Sequence, residues 1–321
     1  MENLFNSIVE AHKAIRPQVL VTPLEFSPIL SATLMCQVFL KCDHLQPTGS
    51  FKIRGATNRV RLLEGDDRRA VFTASTGNHG LAVARAGAVA NVPVTVYVSE
   101  NTVPSKLRDI RALDAKLEIV SGGPGDAEIA ARRSAEQEGL VYISPYNDPY
   151  VVAGQGTLGV ELMEQARDLD AVFIAVGAGG LIGGTGWAIK AINPMVRIVG
   201  VWPEASPCML RALEAGAIVR VKEHQTLSDA TTGAIEPGSI TFPLCQKVID
   251  HRITVSEPEI AAALREIAST ERWIVEGAAG VALAGLIQCA NDFRGRKVAV
   301  VLCGRNIGID AFLVATAARG R

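Results

Sequence analysis

Lys52 stands in Pro47-Thr48-Gly49-Ser50-Phe51-Lys52-Ile53-Arg54-Gly55-Ala56, at the start of a helical pattern. A helix N-terminus carries partial positive charge, which disfavours an ammonium there and lowers its pKa. Phe51 and Ile53 add apolar surface on either side. These conditions suit a Schiff-base lysine, although position alone also allows a solvated surface lysine. A second turn, Thr73-Ala74-Ser75-Thr76-Gly77-Asn78-His79-Gly80, follows a short β-branched run and precedes an Ala-rich helix. Backbone N–H groups at such a start bind carboxylate or phosphate, with hydroxyls from Ser75 and Thr76 and an amide from Asn78 that suits a phenolic oxygen. Two hydroxyls, two glycines, Asn and His in one turn exceed what an N-cap requires. The third turn, Val176-Gly177-Ala178-Gly179-Gly180-Leu181-Ile182-Gly183-Gly184-Thr185, lets backbone approach a phosphate and aims consecutive N–H groups at it. Tight packing explains one or two of these glycines, not all of them.

Other chemistries fit the spelling less well. There is no G-x-x-x-x-G-K-[ST] run, and the third turn departs from G-x-G-x-x-G because Ile182 stands three residues after Gly179. One literal G-x-G-x-x-G occurs, Gly154-Gln155-Gly156-Thr157-Leu158-Gly159, but it follows the turn-rich Asn147-Asp148-Pro149-Tyr150 and reads as helix packing. The five histidines (His12, His44, His79, His224, His251) have no partners at helical spacing, so no metal site is expected. The six cysteines (Cys36, Cys42, Cys208, Cys245, Cys289, Cys303) form no C-x-x-C pair and read as reduced thiols of a cytoplasmic protein. Cys303, in Cys303-Gly304-Arg305-Asn306, read alone is a small buried hydrophobe.

The elements that must position these turns are short β-branched strands alternating with longer helices. Strands are expected at 71–73, 94–98, 117–120, 171–176, 197–202 and 298–302, and helices at 53–63, 103–113, 127–137 and 258–270. The last begins with a capping box, Ser256 and Glu259, with Pro258 in its first turn. Such alternation implies parallel sheets covered on both faces, with ligands where strands end and helices begin. The 321 residues suffice for two domains, and 48% hydrophobic with only 5% aromatic residues fits Val- and Ile-rich buried strands. With 32 basic and 33 acidic side chains, no positive field exists to hold nucleic acid or an anionic membrane. Arg85, Asn91 and Pro93 interrupt the apolar stretch 81–98, and no signal peptide is visible.

Lys52 within Ser50-Phe51-Lys52-Ile53-Arg54-Gly55-Ala56, the turn at 75–80, the loop at 177–180 and Cys303-Gly304-Arg305-Asn306 occur in this order along nearly the whole chain, from Thr22-Pro23-Leu24 to Cys303. Together they resemble the fold-type II pyridoxal-phosphate enzymes, in the threonine dehydratase and serine racemase branch. Ile53-Arg54-Gly55-Ala56 points away from the cysteine synthases. The resemblance implies an α/β fold of the tryptophan synthase β type. It has two domains with mostly parallel twisted sheets flanked by helices: a large cofactor-binding domain from 1–67 and 147–321, and a small mobile domain at 68–146. It implies that Lys52 holds pyridoxal 5'-phosphate and later acts as α-proton base. Asn78 bonds the pyridoxal 3′-oxygen, and Gly177, Ala178, Gly179 and Gly180 cradle the phosphate. Cys303 faces the pyridine nitrogen, and Phe51 and Leu181 join the cofactor wall. Ser75, Thr76, Gly77 and His79 line the substrate carboxylate site, and Arg132 is a lid residue.

The implied reaction is loss of water from a small hydroxy-amino acid such as L-threonine or L-serine, giving a 2-oxoacid and ammonia, by a cytoplasmic homodimer. A neutral thiol does not hold the pyridine nitrogen protonated as a carboxylate does, which favours prompt loss of a β-leaving group. Three positions depart from the family. Thr76 keeps a hydroxyl where serine racemases have serine and many dehydratases alanine, which leaves racemisation open as a second activity. Trp202 replaces a carboxylate of the racemases' cation site. Ala230, in Leu227-Ser228-Asp229-Ala230-Thr231-Thr232-Gly233, replaces a glycine usual beside the cofactor. The segment Gly233-Ala234-Ile235-Glu236-Pro237-Gly238 is similar to hydroxyectoine-utilisation dehydratases, so hydroxyectoine and 3-hydroxyaspartate are alternative substrates. A pyridoxal-phosphate-binding regulatory protein is the alternative outside catalysis.

Overall fold

The computed structural model describes residues 2–102 and 104–317. Among the described residues ten strands form two sheets: β1 (Leu24–Phe26), β2 (Gln37–Lys41), β3 (Val71–Ala74), β4 (Val94–Ser99), β5 (Lys116–Val120), β6 (Val141–Tyr142), β7 (Ala171–Ala175), β8 (Arg197–Pro203), β9 (His251–Val255) and β10 (Lys297–Val301). The larger sheet has the order β1-β2-β10-β7-β8-β9 and the smaller β5-β4-β3-β6. Among the described residues only β1 is antiparallel to its neighbour, and every other strand pairing is parallel. All six expected strands are present. Val71, Val94 and Val141 align across the smaller sheet, so its whole pairing comes from residues 71–142.

β1, β2, β6 and β9 are not among the expected strands; β1 and β6 are only three and two residues long, and β2 and β9 escape for a physical reason. β2 ends on Lys41, which is wholly buried yet reads as a surface residue. β9 begins His251-Arg252 at a sheet edge, where both side chains are exposed. The expected helices appear as Lys52–Arg61, Pro104–Arg111, Pro124–Glu138 and Glu257–Thr270. Val103, the expected start of the second, lies outside the described residues. The capping box at Ser256 forms, with the Ser256 N–H donating to Glu259 Oε2 at 2.7 Å.

Each parallel strand delivers a turn to one end of its sheet. β3 runs into Ser75, β7 into Gly177 and β10 into Cys303, the crevice side of an open α/β sheet. Gly154, Gly156 and Gly159 lie inside the helix Pro149–Gln165. A Cβ on Gly154 would stand 2.6 Å from the Arg54 carbonyl oxygen, and one on Gly156 3.0 Å from the Gly184 carbonyl oxygen. That stretch is therefore helix packing, as its context implied.

The Lys52 helix is clamped from beneath by buried ions. Arg54 Nε meets Asp43 Oδ2 at 2.7 Å and Arg54 Nη1 meets Glu161 Oε1 at 2.7 Å, with all three side chains fully buried. Lys41 Nζ joins Glu161 Oε2 at 2.8 Å and donates to the Thr22 carbonyl at 2.8 Å. Burial alone would raise the Glu161 carboxyl pKa, but Arg54 and Lys41 overcome this and hold it at about 2. Paired in this way the cluster is tolerated; any single member left alone is costly.

Candidate active site

Lys52 is the first residue of the helix Lys52–Arg61, and Phe51 is its N-cap. Lys52 Nζ donates to the Pro145 carbonyl at 3.0 Å and lies 5.2 Å from the Phe51 ring centroid. Burial brings its pKa down to about 8, against the opposing pull of Cys303 and Glu276. The Phe51 N–H donates to the Cys303 carbonyl at 2.9 Å, and Ser50 bridges Gly304. The two distant sequence motifs are thus stitched together by backbone. Burial raises the Cys303 thiol well above its ordinary pKa, with Glu276 reinforcing it, so Cys303 is neutral.

Gly179 is the N-cap of the helix Gly180–Ile192 in a left-handed conformation, φ 87°. A side chain there would also meet Cys245 Sγ at 2.5 Å, so only glycine fits. A Cβ on Gly177 would stand 3.0 Å from Thr231 Cα, and one on Gly180 3.2 Å from Tyr146 Cβ. Thr241 Oγ1 donates to the Ala178 carbonyl at 2.6 Å, and Leu181 is buried in the first turn. That turn presents N–H groups with no intrahelical acceptor. Tyr146 follows Pro145 in sequence, so the glycine loop and Lys52 meet on the same two residues.

Asn78 and His79 open the helix Asn78–Ala90, and both are buried. His79 Nε2 bonds the Ile143 carbonyl at 3.0 Å; burial, helped by the Lys52 charge, lowers its pKa to about 3. The imidazole is therefore neutral and held on Ile143. Ser75 and Thr76 are half-buried and Gly77 exposed just before this helix, with the Gly77 N–H donating to Ser75 Oγ at 3.2 Å. Asn78 Nδ2 donates to both carboxylate oxygens of Glu276 at 2.9 Å, and Asn78 Oδ1 accepts from Asn306 Nδ2 at 2.6 Å.

Several site residues went unnoticed in the sequence. Glu276 is the foremost, a carboxylate in Val275-Glu276-Gly277-Ala278-Ala279-Gly280 whose isolation among small residues was the available signal. Thr231, rather than the exposed Ala230, meets the glycine loop, and its Oγ1 contacts the buried Ser228 Oγ at 2.8 Å. Trp202 is fully buried. Among the described residues no group of three or more His, Cys, Asp or Glu side chains is placed to hold a metal ion. No helix among them is long and apolar enough to cross a membrane. Arg132 pairs with Glu236 Oε2 at 2.9 Å and covers the Tyr142 ring, 4.3 Å from its centroid. The Glu236 N–H in turn donates to Tyr146 Oη at 3.1 Å, linking that pair to the residues beside Lys52.

The arrangement fits a phosphate-bearing aldehyde cofactor. It offers an enclosed amine of lowered pKa, a glycine cradle at a helix N-terminus, and the buried hydroxyls of Thr48 and Ser50, which lack partners within the protein. A family model described as pyridoxal-phosphate dependent enzyme matches residues 15–304, and the chain belongs to that family. The L-threonine ammonia-lyase of Thermotoga maritima is 38% identical over 94% of this chain and 75% of that protein. The L-threo-3-hydroxyaspartate ammonia-lyase of a Pseudomonas species is 33% identical over 96% of this chain and 97% of its own length. Among solved structures, the processed form of threonine deaminase isoform 2 from Solanum lycopersicum has a TM-score of 0.95 at 31% identity, covering 100% of this chain and 94% of that one.

Proposed function

We propose that the protein is an ammonia-lyase that removes water from a small hydroxy-amino acid, with L-threonine or L-serine as the first candidates, giving a 2-oxoacid and ammonia. The observation that carries this reading is the half-buried Lys52 amine, close enough to the neutral Cys303 thiol to feel it, and the glycine loop that meets it on Pro145 and Tyr146. The chemistry that pyridoxal phosphate supplies when bound is withdrawal of electron density from the substrate α-carbon. In this reading Gly177, Ala178, Gly179 and Gly180 hold the phosphate, with Phe51 and Leu181 completing the wall. Asn78 faces the ring hydroxyl and Cys303 the ring nitrogen. The N–H groups of Ser75, Thr76, Gly77 and His79 orient the substrate carboxylate. Lys52 Nζ, neutral above about pH 8 in the unloaded protein, is the group placed to take the α-proton. The β-hydroxyl leaves with that proton as water, and the unsaturated amino acid released takes up water to give the 2-oxoacid and ammonia.

Residues 68–146 act in this reading as a small domain that closes over the site. Support comes from the smaller sheet, built wholly within them, and from the Arg132–Glu236 pair at their border. A homodimer is supported by exposed apolar side chains at Phe26, Ile29 and Met35 and at Leu313 and Val314. Six unpaired cysteines support a cytoplasmic location.

The test is incubation of the yellow, cofactor-loaded protein with L-serine, L-threonine, threo-3-hydroxyaspartate and hydroxyectoine. Ammonia and a 2-oxoacid from one of them support the lyase. An enantiomer alone points to racemisation, for which Thr76 keeps a hydroxyl. No product from any of them supports a regulatory pyridoxal-phosphate-binding protein instead.

A further inference from the structure

Glu276 is 3% exposed, lies outside every motif that suggested the cofactor, and takes no part in the steps above. Its surroundings are built to admit it. A Cβ on Gly304 would collide with its carboxylate, reaching Cδ at 2.6 Å, so glycine at 304 is what leaves the space. The Glu276 N–H donates to the Gly304 carbonyl at 3.1 Å, fixing the backbone beneath the same side chain. Gly277 next to it is pressed against the Leu227 carbonyl, where no side chain fits. A buried carboxylate needs donors, and Asn78 supplies N–H to both oxygens at 2.9 Å.

The amide of Asn78 is thereby fixed in one orientation. Its Oδ1 is occupied by Asn306 Nδ2 at 2.6 Å, and Asn306 is anchored in turn on the Thr48 carbonyl at 2.8 Å. With Oδ1 taken, the NH2 group turns toward Glu276, and because Nδ2 lies equally far from both oxygens, one N–H shared between them leaves the second for the pocket. Asn78 opens a helix that packs with the smaller sheet, whereas Glu276, Asn306 and Thr48 all belong to the part built on the larger one.

We infer that Glu276 is a positioning residue for the cofactor: with Asn306 it grips the Asn78 amide and so holds the donor that the smaller sheet's unit presents to the pyridoxal ring. This rests on the reading that Asn78 faces that ring. The test uses full-length Asn78→Ala, Glu276→Ala, Glu276→Gln and the double variant N78A/E276A. The readouts are the cofactor dissociation constant and the position of the long-wavelength absorbance band, with circular dichroism to check folding.

Glu276→Ala is expected to raise the cofactor dissociation constant about tenfold or more, the effect of losing a charge-assisted hydrogen bond, and to shift the band. Glu276→Gln keeps one oxygen able to accept from Asn78 and recovers most of both. The double variant is expected to be no weaker than Asn78→Ala alone, because Glu276 acts through Asn78. Full additivity of the two losses, or a Glu276→Ala protein with unchanged affinity and band, overturns the inference. An Asn78→Ala protein with wild-type affinity and band overturns it by a different route, removing the Asn78 assignment itself. If Glu276→Ala does not fold, Glu276→Asp keeps the charge but falls short of Asn78, and an unchanged band in that variant overturns the inference equally.

Discussion

At the scale of single residues, the role proposed for Lys52 makes its amine the group that governs how the cofactor is taken up. Schiff-base chemistry needs the neutral amine, and burial brings Lys52 down to about 8 from the ordinary lysine range. The rate of cofactor loading into unloaded protein should therefore rise with pH up to about 8 and level off above it. A stopped-flow series following the developing absorbance checks this; a rate still climbing at pH 10 would mean an ordinary exposed lysine. Lys52→Ala should fold, lose the long-wavelength band and release ammonia at least about a thousandfold more slowly. Gly179→Ala places a side chain in a left-handed conformation and against Cys245, and should cost about 1–3 kcal/mol in denaturant unfolding together with weaker cofactor binding. The motif spelling singles out both residues as candidates. It did not identify Glu276, since the reason for a glutamate there is the space that Gly304 leaves, and those residues meet only in the fold.

At the scale of elements, the helix carrying Lys52 owes its place to the ions beneath it. Arg54→Met should leave Asp43 and Glu161 buried with less compensation and lower unfolding stability by about 3–5 kcal/mol, measured on unloaded protein by chemical denaturation. Glu161 is held at about 2 in the folded chain, below the ordinary carboxylate range, so the unfolded chain binds its proton first as pH falls. Its contribution is present above about pH 4.5 and is lost as pH drops toward 2. This cluster also marks the limit of what could be read in advance. Strands with β-branched runs, such as β7 and β8, were legible because their residues state their burial directly. β2 was not, since Lys41 is buried only by virtue of Glu161, Gln165 and Thr22, all distant in sequence.

At the scale of the whole molecule, the links that cross between the parts built on the two sheets include Asn78 with Glu276, and Arg132 with Glu236. The second pair is partly exposed, so its removal should scarcely change stability. Arg132→Ala or Glu236→Ala is expected instead to raise KM severalfold for the accepted substrate, with the reversed pair R132E/E236R regaining part of it, as steady-state kinetics would show. Two sheets of parallel strands and helices were foreseeable from the alternation of patterns. Which strand lies beside which was not, because β10 enters the middle of the larger sheet, between β2 and β7.

That placement of β10 sets an order for the chain's birth. Residues 71–142 contain every strand of the smaller sheet and can pair as soon as they leave the ribosome. β2 and β7 must wait for residues 297–301 before they have their shared neighbour. Until then β2 lacks that partner, and the Cys303–Phe51 hydrogen bond beside Lys52 cannot form. The nascent protein therefore completes its smaller sheet early and becomes able to capture its cofactor only when its last strand arrives, which makes late synthesis the interval most exposed to misassembly.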